Sequence, residues 1–226
     1  MRALRGALGL LGDLFVTAGV LLLLFVGWQL WWTDVTANRV QAGTVHELTR
    51  EFSTPGATGI TPEPVAFGKA FAIVRIPRFG AQYARPVLEG TDHDILEEGV
   101  GHYVGTAAPG AVGNFAVAGH RTTYGRPFHD IDTLVPGDLI IVETHATYSV
   151  YAVKRHVIVA PTAVDVIAPV PEQPGVKPTA AWLTMTACHP KYSAAQRYVV
   201  FAQLVHVYPH AEGLPPGTLT PPKGAP

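Results

Sequence analysis

Nineteen consecutive residues, Leu14 to Trp32 (LFVTAGVLLLLFVGWQLWW), carry no charge, and no other feature restricts the chain as strongly. As a helix this run spans roughly 28 Å, close to the apolar thickness of a bilayer. Arg2 and Arg5 precede it, and that charge bias predicts a cytoplasmic N-terminus with everything after the run outside. Trp28, Trp31 and Trp32 cluster at its far end, where an interfacial aromatic belt belongs. A cleaved secretory signal is the competing reading, with V35-T36-A37 as a weak cleavage site, but such signals have shorter apolar cores. A buried core helix fits less well, because core helices rarely run this long without a charge.

The spacing divides the chain into four parts. Residues 1–33 are the cytoplasmic terminus and membrane anchor, in contact with lipid. Residues 34–64 are an extracytoplasmic linker, ending in the Pro- and Gly-dense STPGATGITPEP; helix can continue through VTANRVQAGTVHELTREF in its first half. Residues 65–208 form one domain, and 209–226 a Pro-rich tail of disorder-prone composition. Within the domain, short β-branched and aromatic runs alternate with Gly and Pro. Strands are expected at 71–77, 84–90, 113–120, 138–144, 147–160, 180–188 and 197–208, and one short helix at 92–100. The loop 168–178 carries four prolines and cannot be regular. Many short strands with little helix predict a mainly β domain, a closed or nearly closed barrel. With 48% hydrophobic residues the chain can fill such a core. Sixteen basic against 17 acidic residues leave a net charge of −1, which removes the electrostatic footprint of a nucleic-acid binder.

The chain has a single cysteine, Cys188, so it cannot form an internal disulfide. A buried, inert thiol is the plain alternative to a reactive one. Cys188 ends the apolar strand LTMTAC, and Pro190 stops ladder pairing just beyond, which puts the thiol at a sheet rim. A nucleophilic thiol needs a base or ion-pair partner, most often histidine. Of ten histidines, His189 is adjacent but on the opposite strand face, while His145, His156, His206 and His210 sit in ordinary strand or tail settings. His120 differs: it ends the strand GNFAVAGH, after a glycine that permits close backbone approach, and opens the polar loop RTTYG. Arg197 begins the last strand, nine residues after Cys188. A hairpin there would set its guanidinium beside the thiol, able to stabilise an oxyanion; a surface arginine is the plain alternative.

The strand ending in TMTAC, the AGH strand and the Arg-opened strand together resemble the three signatures of sortases. GHYVGTAAPGAVGNFAVAGHRTTYG and TACHPKYSAAQR resemble class E in particular, and the likeness covers residues 71–208. It implies an eight-stranded β-barrel with one or two short helices behind a transmembrane helix. It also implies a cysteine transpeptidase that cuts a sorting signal of LPxTG type, or LAxTG in class E, between Thr and Gly. The product is held as a thioester and passed to an amine. The implied catalytic residues are Cys188, His120 and Arg197, and Tyr124 is the candidate for reading the signal's second position. The implied partners are surface proteins bearing the signal and an amine acceptor, either a peptidoglycan precursor or a pilin lysine. No cofactor or metal is required, and no acidic cluster is dense enough for calcium. The family's TLxTC motif is altered: Met185 stands for Leu, which conserves volume, and Ala187 for Thr, which removes a hydroxyl near the thiol. An L,D-transpeptidase fits less well, since Thr186-Ala187-Cys188-His189 lacks the Ser-x-Gly-Cys pattern. A non-catalytic β-barrel binding module on a stalk is the third alternative.

Overall fold

The computed structural model describes residues 2–54 and 65–225. The side chains of residues 2–8 and 29–31, among them Arg2, Arg5 and Trp31, lie outside the described residues, as do residues 55–64 of the expected linker. Helix α1 (Arg2–Phe52) is long and apolar enough to cross a membrane, and its apolar part is exposed, with Trp28 and Trp32 stacked 5.9 Å apart. It does not stop at the apolar run. Ala37, Gln41, Leu48 and Phe52 recur at helical spacing and are all buried. Leu48 and Phe52 pack on Ile73 of the domain, so the first half of the expected linker is a docked helix. The C-terminal half of α1 is thus tied to the domain by tertiary packing that composition does not record.

The domain is a closed barrel of eight strands in the order β1-β2-β3-β4-β7-β8-β6-β5. The strands are β1 (Ala70–Arg75), β2 (Arg85–Glu89), β3 (Val100–His102), β4 (Gly113–Ala118), β5 (Leu139–Glu143), β6 (Thr147–Val159), β7 (Ala181–His189) and β8 (Gln196–Pro209). Helix α2 (His93–Glu98) bridges β2 and β3, which are therefore parallel. β4 and β7 are also parallel, and β7 and β8 form an antiparallel hairpin. Seven strands fall on the expected runs. β3 was not among them, because three residues including a glycine leave no alternation to read. Gly101 is needed there: a β-carbon would lie 2.3 Å from the Gly90 carbonyl oxygen.

Alternation decides which side chains fill the barrel. Phe115 and Val117 of β4, Leu183 and Met185 of β7 and Val200 and Ala202 of β8 join one interior core. The opposite set faces outward. There Val166, in the 3-10 turn Val164–Ile167, covers Val199 and Phe201 on the outer wall. Asn114 Nδ2 donates to the Ala168 carbonyl at 2.9 Å, and Thr184 Oγ1 to Asn114 Oδ1 at 2.9 Å, which clamps this covering loop to β4 and β7. After β8 comes one 3-10 turn, His210–Glu212, and the tail residues 214–225 contain turns without a regular element.

Candidate active site

Register brings the sequence-predicted residues to one end of the barrel. Ala118 of β4 pairs with Thr186 of β7 in parallel, and the Gly119 amide donates to the Thr186 carbonyl at 3.1 Å. His120 and Cys188 each lie two residues further along. Cys188 faces Arg197 across the β7–β8 ladder. Their inward neighbours (Val117, Ala187 and Tyr198) belong to the core, so alternation sends Cys188 and Arg197 to the outer wall. His120 follows Ala118 in the same parity. The expected rim is thus the outer face of β4, β7 and β8 at one end of the barrel. Parity also corrects the expectation for Ala187. Its side chain is buried in the apolar interior with Met185, so a hydroxyl there would not stand beside the thiol.

Cys188 is free and half-buried. His120 is half-buried and its Nε2 has no hydrogen-bond partner. Burial lowers its pKa from the ordinary histidine value; nearby His93 lowers it further, and Glu97 opposes both. The rings of His120 and Tyr124 lie 5.0 Å apart, and His93 completes the cluster at 6.0 Å from His120 and 5.7 Å from Tyr124. Tyr124 is held protonated more firmly than a free tyrosine, first by its hydrogen bond to Glu97, then by burial and that carboxylate's charge. Arg197 folds its Nη1 onto the Ala194 and Gln196 carbonyls, both at 3.0 Å, which leaves the other donors of the fork uncommitted to these two bonds.

Sequence reading missed Arg121. It looks like one polar residue of the loop after His120, yet it is almost wholly buried. Its Nη2 pairs with Asp132 at 2.6 Å. Its Nη1 donates to His189 Nδ1 at 2.9 Å and to the Cys188 carbonyl at 3.4 Å, and the guanidinium lies 5.6 Å from the Tyr198 ring centroid. Against the burial that would raise it, this guanidinium holds the Asp132 carboxyl below its ordinary range. The arginine therefore links the end of β4 to the backbone of the thiol-bearing residue. Only spatial proximity reveals this role; the local sequence carries no signal for it.

Residues 74–205 match the family described as the sortase domain. Sortase SrtE1 of Streptomyces coelicolor is 38% identical over 213 residues, covering 91% of this chain; the chain spans 59% of that protein's length. A solved structure of sortase E from Streptomyces avermitilis is 41% identical with a TM-score of 0.62, covering 68% of this chain and 99% of that one. The structure of Sortase E1 from Streptomyces coelicolor with a tripeptide in its active site is 37% identical with a TM-score of 0.61, covering 67% and 98%. The barrel, its strand signatures and these similarities agree: the chain belongs to the sortase family, within class E.

Proposed function

We propose that this protein is a membrane-anchored cysteine transpeptidase that cleaves a C-terminal LAxTG- or LPxTG-like sorting signal between Thr and Gly. It then transfers the surface protein to an amine of the cell wall, a peptidoglycan precursor or a pilin lysine. The anchor is α1, which meets lipid along its apolar run, with the N-terminus cytoplasmic and the barrel outside. The observation that carries the reading is the shared parity and register of three side chains on the outer wall: a thiol, an imidazole and a guanidinium.

The Cys188 sulfur attacks the Thr carbonyl carbon, and its proton goes to the ring of His120. Arg197 donates to the oxyanion of the tetrahedral intermediate. The C–N bond to Gly breaks as the His120 imidazolium protonates the departing amine, which leaves the acyl group as a thioester. An incoming amine then attacks that carbonyl, gives its proton to His120 and expels the sulfur. Burial weakens the ring's hold on its proton, which favours delivery to the leaving amine. Tyr124, beside His120, reads the second position of the signal.

The test incubates the full-length protein in liposomes with LAxTG and LPxTG peptides, with and without an amine acceptor. Thr–Gly scission and an amide-linked product are expected, and Cys188→Ala abolishes both. Absence of scission on every such peptide, or scission that survives Cys188→Ala, refutes the reading and leaves a non-catalytic module.

A further inference from the structure

Gln41 is fully buried, although it stands in a segment that reads as a linker. Its Nε2 donates to the Tyr124 carbonyl at 2.9 Å and to the Glu97 carbonyl at 3.3 Å. Two turns earlier on α1, Asp34 Oδ1 accepts from the Gly125 amide at 3.1 Å, and its Oδ2 pairs with Arg126 Nε at 3.0 Å. All of these bonds except the one to Glu97 in α2 converge on three successive residues with left-handed backbone: Tyr124 at φ 51°, Gly125 at φ 75° and Arg126 at φ 49°. Two of the three are not glycine, and such a stretch persists only where its surroundings over-determine it. A β-carbon at Gly125 would lie 3.1 Å from Asn38 Oδ1 and 3.2 Å from Gln41 Nε2, so the helix presses directly on the turn. From the barrel side, Arg85 Nη2 donates to the Gly125 carbonyl at 3.1 Å and the Tyr83 hydroxyl to the Pro127 carbonyl at 2.5 Å.

We propose that Asp34 and Gln41 are positioning residues of the active site, holding the loop 121–126 in its left-handed turn so that Tyr124 keeps its place beside His120. The inference rests on the roles proposed above for those two residues. It adds that the stretch of α1 next to the membrane completes the site. Neither residue touches substrate; both act through the loop's backbone. A buried amide and a carboxylate accepting a backbone N–H serve no core of their own on this helix, and holding the turn is what their bonds accomplish.

The test compares full-length wild type, Asp34→Ala, Gln41→Leu and Asp34→Asn in liposomes, with an LAxTG peptide and amide hydrogen exchange. Asp34→Ala and Gln41→Leu should each lower kcat/KM about tenfold, mainly through KM, because the loop that carries Tyr124 is displaced. The Gly125 amide should exchange about tenfold faster in Asp34→Ala, with exchange in β4, β7 and β8 unchanged because Leu48 and Phe52 still seat the helix. Asp34→Asn keeps an acceptor oxygen and should return both readouts to within about twofold of wild type. Wild-type kinetics and exchange in Asp34→Ala and Gln41→Leu would overturn the proposal. So would faster exchange across the whole barrel, which signals general loosening, or a loss that Asp34→Asn does not restore. If the wild type cleaves no peptide, the transpeptidase reading fails, and exchange at Gly125 alone decides whether Asp34 holds the turn.

Discussion

His120 sits where its protonation is decided by competing neighbours: burial and His93 favour the neutral ring, while Glu97 favours the charged one. In the proposed mechanism the reactive Cys188–His120 pair holds one proton between them. Adding a second, with the thiol still protonated and the ring charged, stops the reaction. Activity should therefore fall as pH drops through the lowered pKa of His120, so the acid limb of kcat/KM lies below the ordinary histidine value. His93→Gln removes the second depressing influence and should move that limb to higher pH. A pH series on both proteins checks this, and a limb that stays in place would show that His93 does not bear on the ring. At this scale the thiol, the imidazole and the Arg opening β8 were legible because each ends or begins a β-run. Arg121 was not, because it is buried against Asp132, His189 and Tyr198, none of them a neighbour in the local sequence pattern.

The end of β4 is the element on which the site turns. Gly119 faces inward, and a β-carbon there would lie 2.7 Å from Cδ2 of Phe128, a ring with no exposure. The Phe128 amide in turn donates to the His120 carbonyl at 3.0 Å, so the ring and the backbone of His120 are joined. Gly119→Ala must push one of them away. Overpacking of this kind costs about 1–3 kcal/mol. Urea unfolding should show a loss in that range, and peptide cleavage should fall with it because His120 moves. An unchanged midpoint would mean that Phe128 yields freely. The AGH pattern marked the glycine as a place of close approach, but the partner that approaches comes from the turn after the loop, which no local pattern indicates. β3 was hidden for a similar reason: its place in the sheet comes from pairing with β2 and β4, not from its own three residues.

Over the whole molecule, α1 acts as a strut with a direction. Asp34, two residues after Trp32, bonds the loop at the site end of the barrel, whereas Phe52 meets His145 and His210 at the opposite end. Eighteen helical residues separate the two, a span of roughly 27 Å. With the apolar run in a bilayer, the end bearing Cys188 is the one nearer the lipid. A fluorophore on Tyr192→Cys, in the β7–β8 loop, should be quenched by headgroup-labelled lipid far more than one on Ala146→Cys at the other end, both in a Cys188→Ala background. Equal quenching at the two sites would reverse or tilt the arrangement. Periodicity and composition alone determined that this chain has an apolar helix, a β-rich domain and three strand ends bearing Cys, His and Arg, because those are properties of neighbouring residues. Tertiary structure alone decided that the three side chains share the outer wall, that Ala187 turns away from them, that Arg121 ties β4 to the Cys188 carbonyl, and that α1 runs on past its apolar run to bond the loop after His120. Each of these depends on register and packing between segments tens of residues apart, where a one-residue slip would turn every side chain to the other face.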